Sequence, residues 1–203
     1  STFSKYSKVQ SRSGMTGYDS ARRILDANGL HNVGIARVSG NLTDHYNPKD
    51  NTIYLSDSVY GETTAAAIGV AAHEAGHAVQ HAVGYTPMKV RSAIIPVTQI
   101  GSNLAMPLFL LGIIFSYPTL AMIGVIAFGA STLFQLVTLP VEFNASSRAM
   151  DALRGYNLDS DDLASARKVL TAAALTYVAA LAVSLANLLR LFLIASRMRG
   201  RRD

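Results

Sequence analysis

The run AAHEAGHAVQ, residues 71–80, sets His73, Glu74 and His77 among small and apolar residues. Burying ionisable groups without partners is costly, so the three must face water or face something that repays their desolvation. On a helix, residues four apart lie one above the other. His73 and His77 then present two imidazole nitrogens to a single ion. Glu74 is turned about 100° from His73, which puts its carboxylate beside that ion and not beneath it. This is the HExxH spacing, in which two histidines hold zinc and the glutamate is the general base of peptide hydrolysis. A buried histidine pair held only by structural hydrogen bonds is the plainer alternative. Histidine is rare here, five in 203 residues, which makes the pattern hard to meet by chance.

A catalytic zinc takes three protein ligands and keeps one open position. His81 continues the ladder of four, but Gln80 and Val83 stand where the extended three-histidine pattern requires Gly and His. Glu142 is the better candidate. It is the first charged residue after the fifty residues 92–141, which contain no Asp, Glu, Lys, Arg or His. A spanning helix needs about 20 apolar residues, so this stretch is long enough for two. The SYP turn near its centre divides it into arms at 95–115 and 119–140. A hairpin leaves one membrane face and returns to it, so Glu142 is expected on the side that carries His73 and His77. A carboxylate at a membrane boundary is a functional suspect; its alternative is a surface pair with Arg148 or Lys168. Pro140 predicts a kink or helix start just before Glu142, and Pro96 and Pro107 predict kinks in the first arm.

The elements that position these residues can be read in outline. TGYDSARRILDANG, residues 16–29, is an amphipathic helix with a glycine stop. VGIARV and NTIYLS are short strand-like runs, and YNPKDN between them supplies turn residues. The HExxH helix should run from about 62 to 83. A further uncharged run, 169–189, is long enough to span, and its Ser184 and Asn187 suit packing against other helices. The tail after it, RLFLIASRMRGRRD, is strongly basic, a common flank of a membrane helix.

Half of all residues are hydrophobic, only 15% are charged, and the mean hydropathy is +0.25, values that point to a membrane protein. A chain this short cannot wrap so much uncharged helix in polar surface. The fold expected is a mainly α integral membrane protein. It comprises a small α+β zincin-like part with the HExxH helix (1–91), a transmembrane helical hairpin (92–141), a third-ligand helix and loop (142–168), and a C-terminal hydrophobic helix with its basic tail (169–203), all one catalytic unit. The absence of cysteine excludes disulfides and thiolate metal sites. The net charge of +5 is not arranged in a basic–aromatic stripe, so no nucleic acid partner is expected. No Walker A sequence occurs, so no nucleotide is expected either. The opening STFSKYSKVQSRSG shows no apolar signal segment.

AAHEAGHAVQHAVGYTPMKVRSAIIPVTQIGSNL, LFQLVTLPVEFNASSRA and ARKVLTAAALTYVAAL, with ARRILDANGL and LTDHYNPKDNTIYLS nearer the start, resemble the YugP family of bacterial membrane zinc metallopeptidases. The likeness covers nearly the whole chain and implies one more transmembrane helix ahead of Ser1. More distantly, HExxH followed by a helix with E-x-x-A-D is similar to the HtpX and CaaX-processing membrane peptidases. Here that second motif reads Glu142-Phe143-Asn144-Ala145-Ser146, with serine in place of the aspartate that would orient a histidine. Asn144 or Asp151 is the expected substitute. Arg148, His45 and Tyr177 are candidate donors to the tetrahedral oxyanion, and TIYLS is a candidate edge strand to pair with an extended peptide.

The function expected is a membrane-embedded endopeptidase. It holds one Zn2+ per chain on His73, His77 and Glu142, with Glu74 as general base, and acts on peptide or membrane-protein substrates. It would be a multi-pass protein of a bacterial cell membrane. The uncharged SYP loop suits the external side and places the site on the cytoplasmic face, whereas the basic tail argues the reverse; the reading adopted is cytoplasmic. Two other readings stand beside it: a site-2-type intramembrane protease, although the Asp-Gly pair of those enzymes is absent, and a non-catalytic zinc-binding membrane scaffold.

Overall fold

The computed structural model describes residues 2–156 and 158–200. The chain order is α1 (Thr2–Tyr6), α2 (Gly17–Ala27), β1 (Gly34–Val38), β2 (His45–Asn47), β3 (Thr52–Ser56), α3 (Ala65–Ala82), α4 (Thr86–Ile114), α5 (Pro118–Arg154) and α6 (Ser160–Arg199). These elements form two compact units. The first is built from residues 1–88 and 141–175, the second from 89–140 and 176–203.

In the first unit, α2 begins where Thr16 caps it. The Thr16 hydroxyl accepts from the Asp19 amide at 3.1 Å while the Asp19 carboxylate accepts from the Thr16 amide at 3.0 Å, a reciprocal capping box. The helix ends at Asn28, and Gly29 follows with a φ of +70° that favours glycine. Its buried stripe, Ala21, Ile24 and Leu25, packs with Ile68 and Ala72 of α3 and with Ile53 and Leu55 of β3. Each such large side chain removed from water contributes about 1.5–3 kcal/mol. The Ser20 hydroxyl donates to the Ile68 carbonyl at 3.1 Å, pinning α2 to α3.

The sheet has the order β1-β3-β2. β1 runs parallel to β3, with Ile35 opposite Ile53, and β2 runs antiparallel to it, with Tyr46 opposite Ile53. Two readings of the sequence are corrected here. TIYLS is the central strand and not an edge, so the edge that faces α3 belongs to β2. The first residues of YNPKDN are strand and not turn, because Tyr46 and Asn47 pair with β3 before the chain reverses over 48–51.

The described residues of the second unit are mainly helical and largely apolar. The turn between α4 and α5 falls at 115–117, as the SYP signal predicts. Pro96 and Pro107 lie inside α4, and Pro140 lies inside α5. Pro140 therefore starts no helix: α5 is helical on both sides of it, and Glu142 follows two residues later. α4, α5 and α6 are each long and apolar enough to cross a membrane. Large side chains such as Val97, Ile100, Ile126 and Val183 are exposed, as suits contact with lipid. Thr132 of α5 and Ser184 of α6 share a buried hydroxyl–hydroxyl hydrogen bond of 2.7 Å, while Asn187, expected to pack, is exposed.

Candidate metal centre

α3 is started by Thr64, whose hydroxyl accepts from the Ala67 amide at 3.2 Å. It is almost entirely buried, which explains its alanine-rich composition. His73 and His77 project from one face, their rings 4.7 Å apart and nearly perpendicular at 82°. The partner element is α5 beyond Pro140. Gly76 sits in the contact, where an added methyl would stand 2.7 Å from the Ala145 carbonyl oxygen. Only glycine permits so close an approach of the two backbones. Glu142, one turn before Ala145, is thereby brought to the two histidines.

The Glu142 Oε2 lies 3.1 Å from His73 Nε2 and 3.5 Å from His77 Nε2. The three donor atoms fall within 4.8 Å of one another, so the group can hold a metal ion. It is well shielded: the side chains are 15%, 10% and 4% exposed for His73, His77 and Glu142. Two nitrogens and an oxygen form a donor set that suits zinc.

The surrounding hydrogen bonds fix which face each imidazole turns inward. The Gln80 amide nitrogen donates to the Val141 carbonyl at 2.8 Å and to Asn144 Oδ1 at 2.9 Å. Both its hydrogens are used, so Gln80 Oε1 can only accept, and it lies 2.9 Å from His77 Nδ1. Neutral His77 therefore carries its hydrogen on Nδ1 and turns a bare Nε2 towards the Glu142 carboxylate. Two acceptors facing each other need positive charge between them, which a proton or a metal ion supplies. Burial alone would lower the pKa of His77, but the Glu142 and Glu74 carboxylates and the Gln80 amide outweigh it and raise the value. The local field thus favours positive charge at this point. Arg148 completes the chain by donating from Nε to Asn144 Oδ1 at 2.8 Å.

On the other histidine, Nδ1 of His73 lies 3.1 Å from the Ser146 hydroxyl. The serine that departs from the aspartate of E-x-x-A-D occupies that position itself. Asn144, expected to substitute, instead reaches His77 through Gln80, and Asp151 pairs with Arg154 on the surface. The sequence offered a faint signal for Gln80, which stands three residues after His77 and hence on the same face. It offered none for Ser146, whose role depends on the packing of α5 against α3.

Glu74 is buried beside the histidines, and its Oε2 accepts from the Tyr46 backbone N–H at 3.0 Å. The sequence did not single out this contact, because β2 read as a turn. It ties β2 directly to the HExxH helix, and Tyr46 is tied again through its hydroxyl, 2.9 Å from His81 Nδ1. His81 is thus engaged with Tyr46. His45, one residue earlier, has its ring stacked on Tyr54 with centroids 5.0 Å apart and its Nδ1 2.8 Å from the Thr43 carbonyl oxygen. Tyr177 belongs to the second unit.

A family model described as "Putative neutral zinc metallopeptidase" matches residues 1–196. The chain belongs to this zinc metallopeptidase family. It is 48% identical over 196 residues to "Putative membrane protease YugP" of Bacillus subtilis (strain 168), an alignment that covers 96% of this chain and 87% of the relative. No solved structure matches. Membership of a zinc metallopeptidase family and three helices able to span a bilayer agree with the donor set on α3 and α5 and with a membrane protein.

Proposed function

We propose that the protein is a membrane-embedded, zinc-dependent endopeptidase with one zinc per chain, held by His73, His77 and Glu142. The observation that carries this reading is the inward-facing, bare Nε2 of His77 opposite the Glu142 carboxylate, with the Nε2 of His73 beside it. Zinc bound there would supply a Lewis acid that acidifies water and polarises a peptide carbonyl. The chain supplies the rest. Gln80 and Ser146 hold the two imidazoles in the orientation a metal needs. The Tyr46 amide holds one oxygen of Glu74, leaving the other to take the proton of the attacking water and pass it to the departing amine. Burial of these groups between α3 and α5 limits the access of bulk water to them.

The outer edge of β2 is the surface on which an extended peptide would lie. The Tyr46 amide points away from β3 towards Glu74, so a strand added there passes the general base. The substrates are unfolded or membrane-associated polypeptides, and the site lies on the cytoplasmic face of a bacterial membrane.

Glu74→Gln tests the reading because it preserves shape and removes only the base. It should keep zinc at wild-type stoichiometry and abolish cleavage of an unfolded protein substrate. Unchanged cleavage would remove Glu74 from the chemistry, and a wild type that binds zinc without cleaving any substrate would favour a scaffold.

A further inference from the structure

A cavity of about 630 Å3 opens between α1 and the N-terminal part of α6 and shares no residue with the metal group. Lys5, Arg167 and Lys168 line it, with Tyr6 between the two lysines. The Lys5 ammonium lies 5.6 Å and that of Lys168 5.9 Å from the centre of the Tyr6 ring. No carboxylate lines the cavity, and among the described residues none of the three cations forms an ion pair. Like charges gathered without a counter-charge repel one another, so an arrangement of this kind is stabilised by an anion.

The position along the chain says where that anion resides. Lys168 is the last charged residue before the uncharged run 169–189 of α6. The three cations therefore stand at the depth of the headgroups when α6 crosses a bilayer. Ala172 and Leu175 continue the same helical face from Lys168 and also line the cavity. The cations thus give way along the helix to an apolar stretch on which Leu175 is exposed, the sequence of environments met by a phosphate followed by acyl chain. We propose that this cavity binds the phosphate headgroup of an anionic phospholipid, with one acyl chain lying along Ala172 and Leu175.

The test uses the full chain in mild detergent, offered equal amounts of phosphatidylglycerol and phosphatidylcholine, with retained lipid counted by native mass spectrometry. Wild-type protein should retain phosphatidylglycerol by on the order of tenfold over phosphatidylcholine, each cation contributing about fivefold at most. The Lys5→Gln/Arg167→Gln/Lys168→Gln protein should fall to near parity, whereas Arg197→Gln/Arg199→Gln in the basic tail should keep the preference. Equal retention of the two lipids by wild type overturns the proposal whether or not the triple variant folds. An unchanged preference in a folded triple variant overturns it too. Displacement of the lipid by excess inorganic phosphate, which then binds in its place, would make the cavity a site for free phosphate and end the lipid assignment.

Discussion

The Nδ1–H of His77 points at the amide oxygen of Gln80, 2.9 Å away, and the same amide is anchored at its other end by the Val141 carbonyl and Asn144. One buried side chain thus couples the HExxH helix to the helix that carries Glu142. Partners of this kind typically change metal affinity by about 10–100-fold. Gln80→Leu should lower zinc affinity by that order while leaving the fold intact. Gln80→Glu still accepts from Nδ1 but turns a carboxylate oxygen on the Val141 and Asn144 acceptors, so it too should lose affinity. A competitive chelator titration measures both, and equal affinities in wild type and Gln80→Leu would show that the amide does not orient the imidazole.

Gly76 makes a prediction of a different kind. A methyl there meets the Ala145 carbonyl at 2.7 Å, and backbone cannot yield as a flexible side chain would. Gly76→Ala should therefore push α3 and α5 apart, at a cost of about 1–3 kcal/mol, as for other overpacked interiors. Because Glu142 lies one turn from the clash, zinc content should fall together with the melting temperature. Loss of stability with full zinc occupancy would separate the helix contact from the metal site.

The capping box of α2 lies elsewhere in the first unit and should affect stability alone. Thr16→Ala should cost about 1 kcal/mol, the usual value of an N-cap, without altering zinc binding. The side-chain and backbone hydrogen bonds from Thr16 hold the Asp19 carboxyl below its ordinary value. A depressed carboxyl stabilises the folded state fully above its unfolded pKa of about 3.9 and loses that contribution as pH falls through the folded value. Thermal melts at pH 5 and pH 3 should show a smaller acid-induced drop in Thr16→Ala than in wild type. An identical drop would mean that Asp19 is not the linked group.

The absence of cysteine makes topology directly measurable. Single cysteines at Ser58, in the loop after β3, and at Ser116, in the turn of the hairpin, should label from opposite sides of the membrane. With the site cytoplasmic, Ser116→Cys is the one modified by an impermeant reagent added to intact cells. Labelling of Ser58→Cys under those conditions would invert the orientation.

Much of this arrangement is visible in the sequence, for physical reasons. His73, Glu74 and His77 are close along one helix, so their geometry follows from residue spacing. Glu142 stands out because fifty uncharged residues precede it, and a bilayer leaves few ways to satisfy such a stretch. The features that were missed depend on tertiary packing. β2 has only three residues, too few for alternation to show, and it is recognisable through its pairing with β3 and the bond from Tyr46 to Glu74. Gln80 and Ser146 are ordinary polar residues until the Gly76–Ala145 contact brings α5 against α3. Of the two outcomes expected at Pro140, the helix start does not occur, because α5 passes through the proline.

The most direct test of the metal centre is the zinc content of the purified protein, with and without the Glu142 carboxylate. Wild type should carry one zinc per chain, with X-ray absorption showing two histidine nitrogens at about 2.0–2.1 Å and oxygen ligands completing the shell. Glu142→Ala should lose most of that zinc at equal free metal. A Glu142→Ala protein with full zinc occupancy and an unchanged ligand shell would contradict the account.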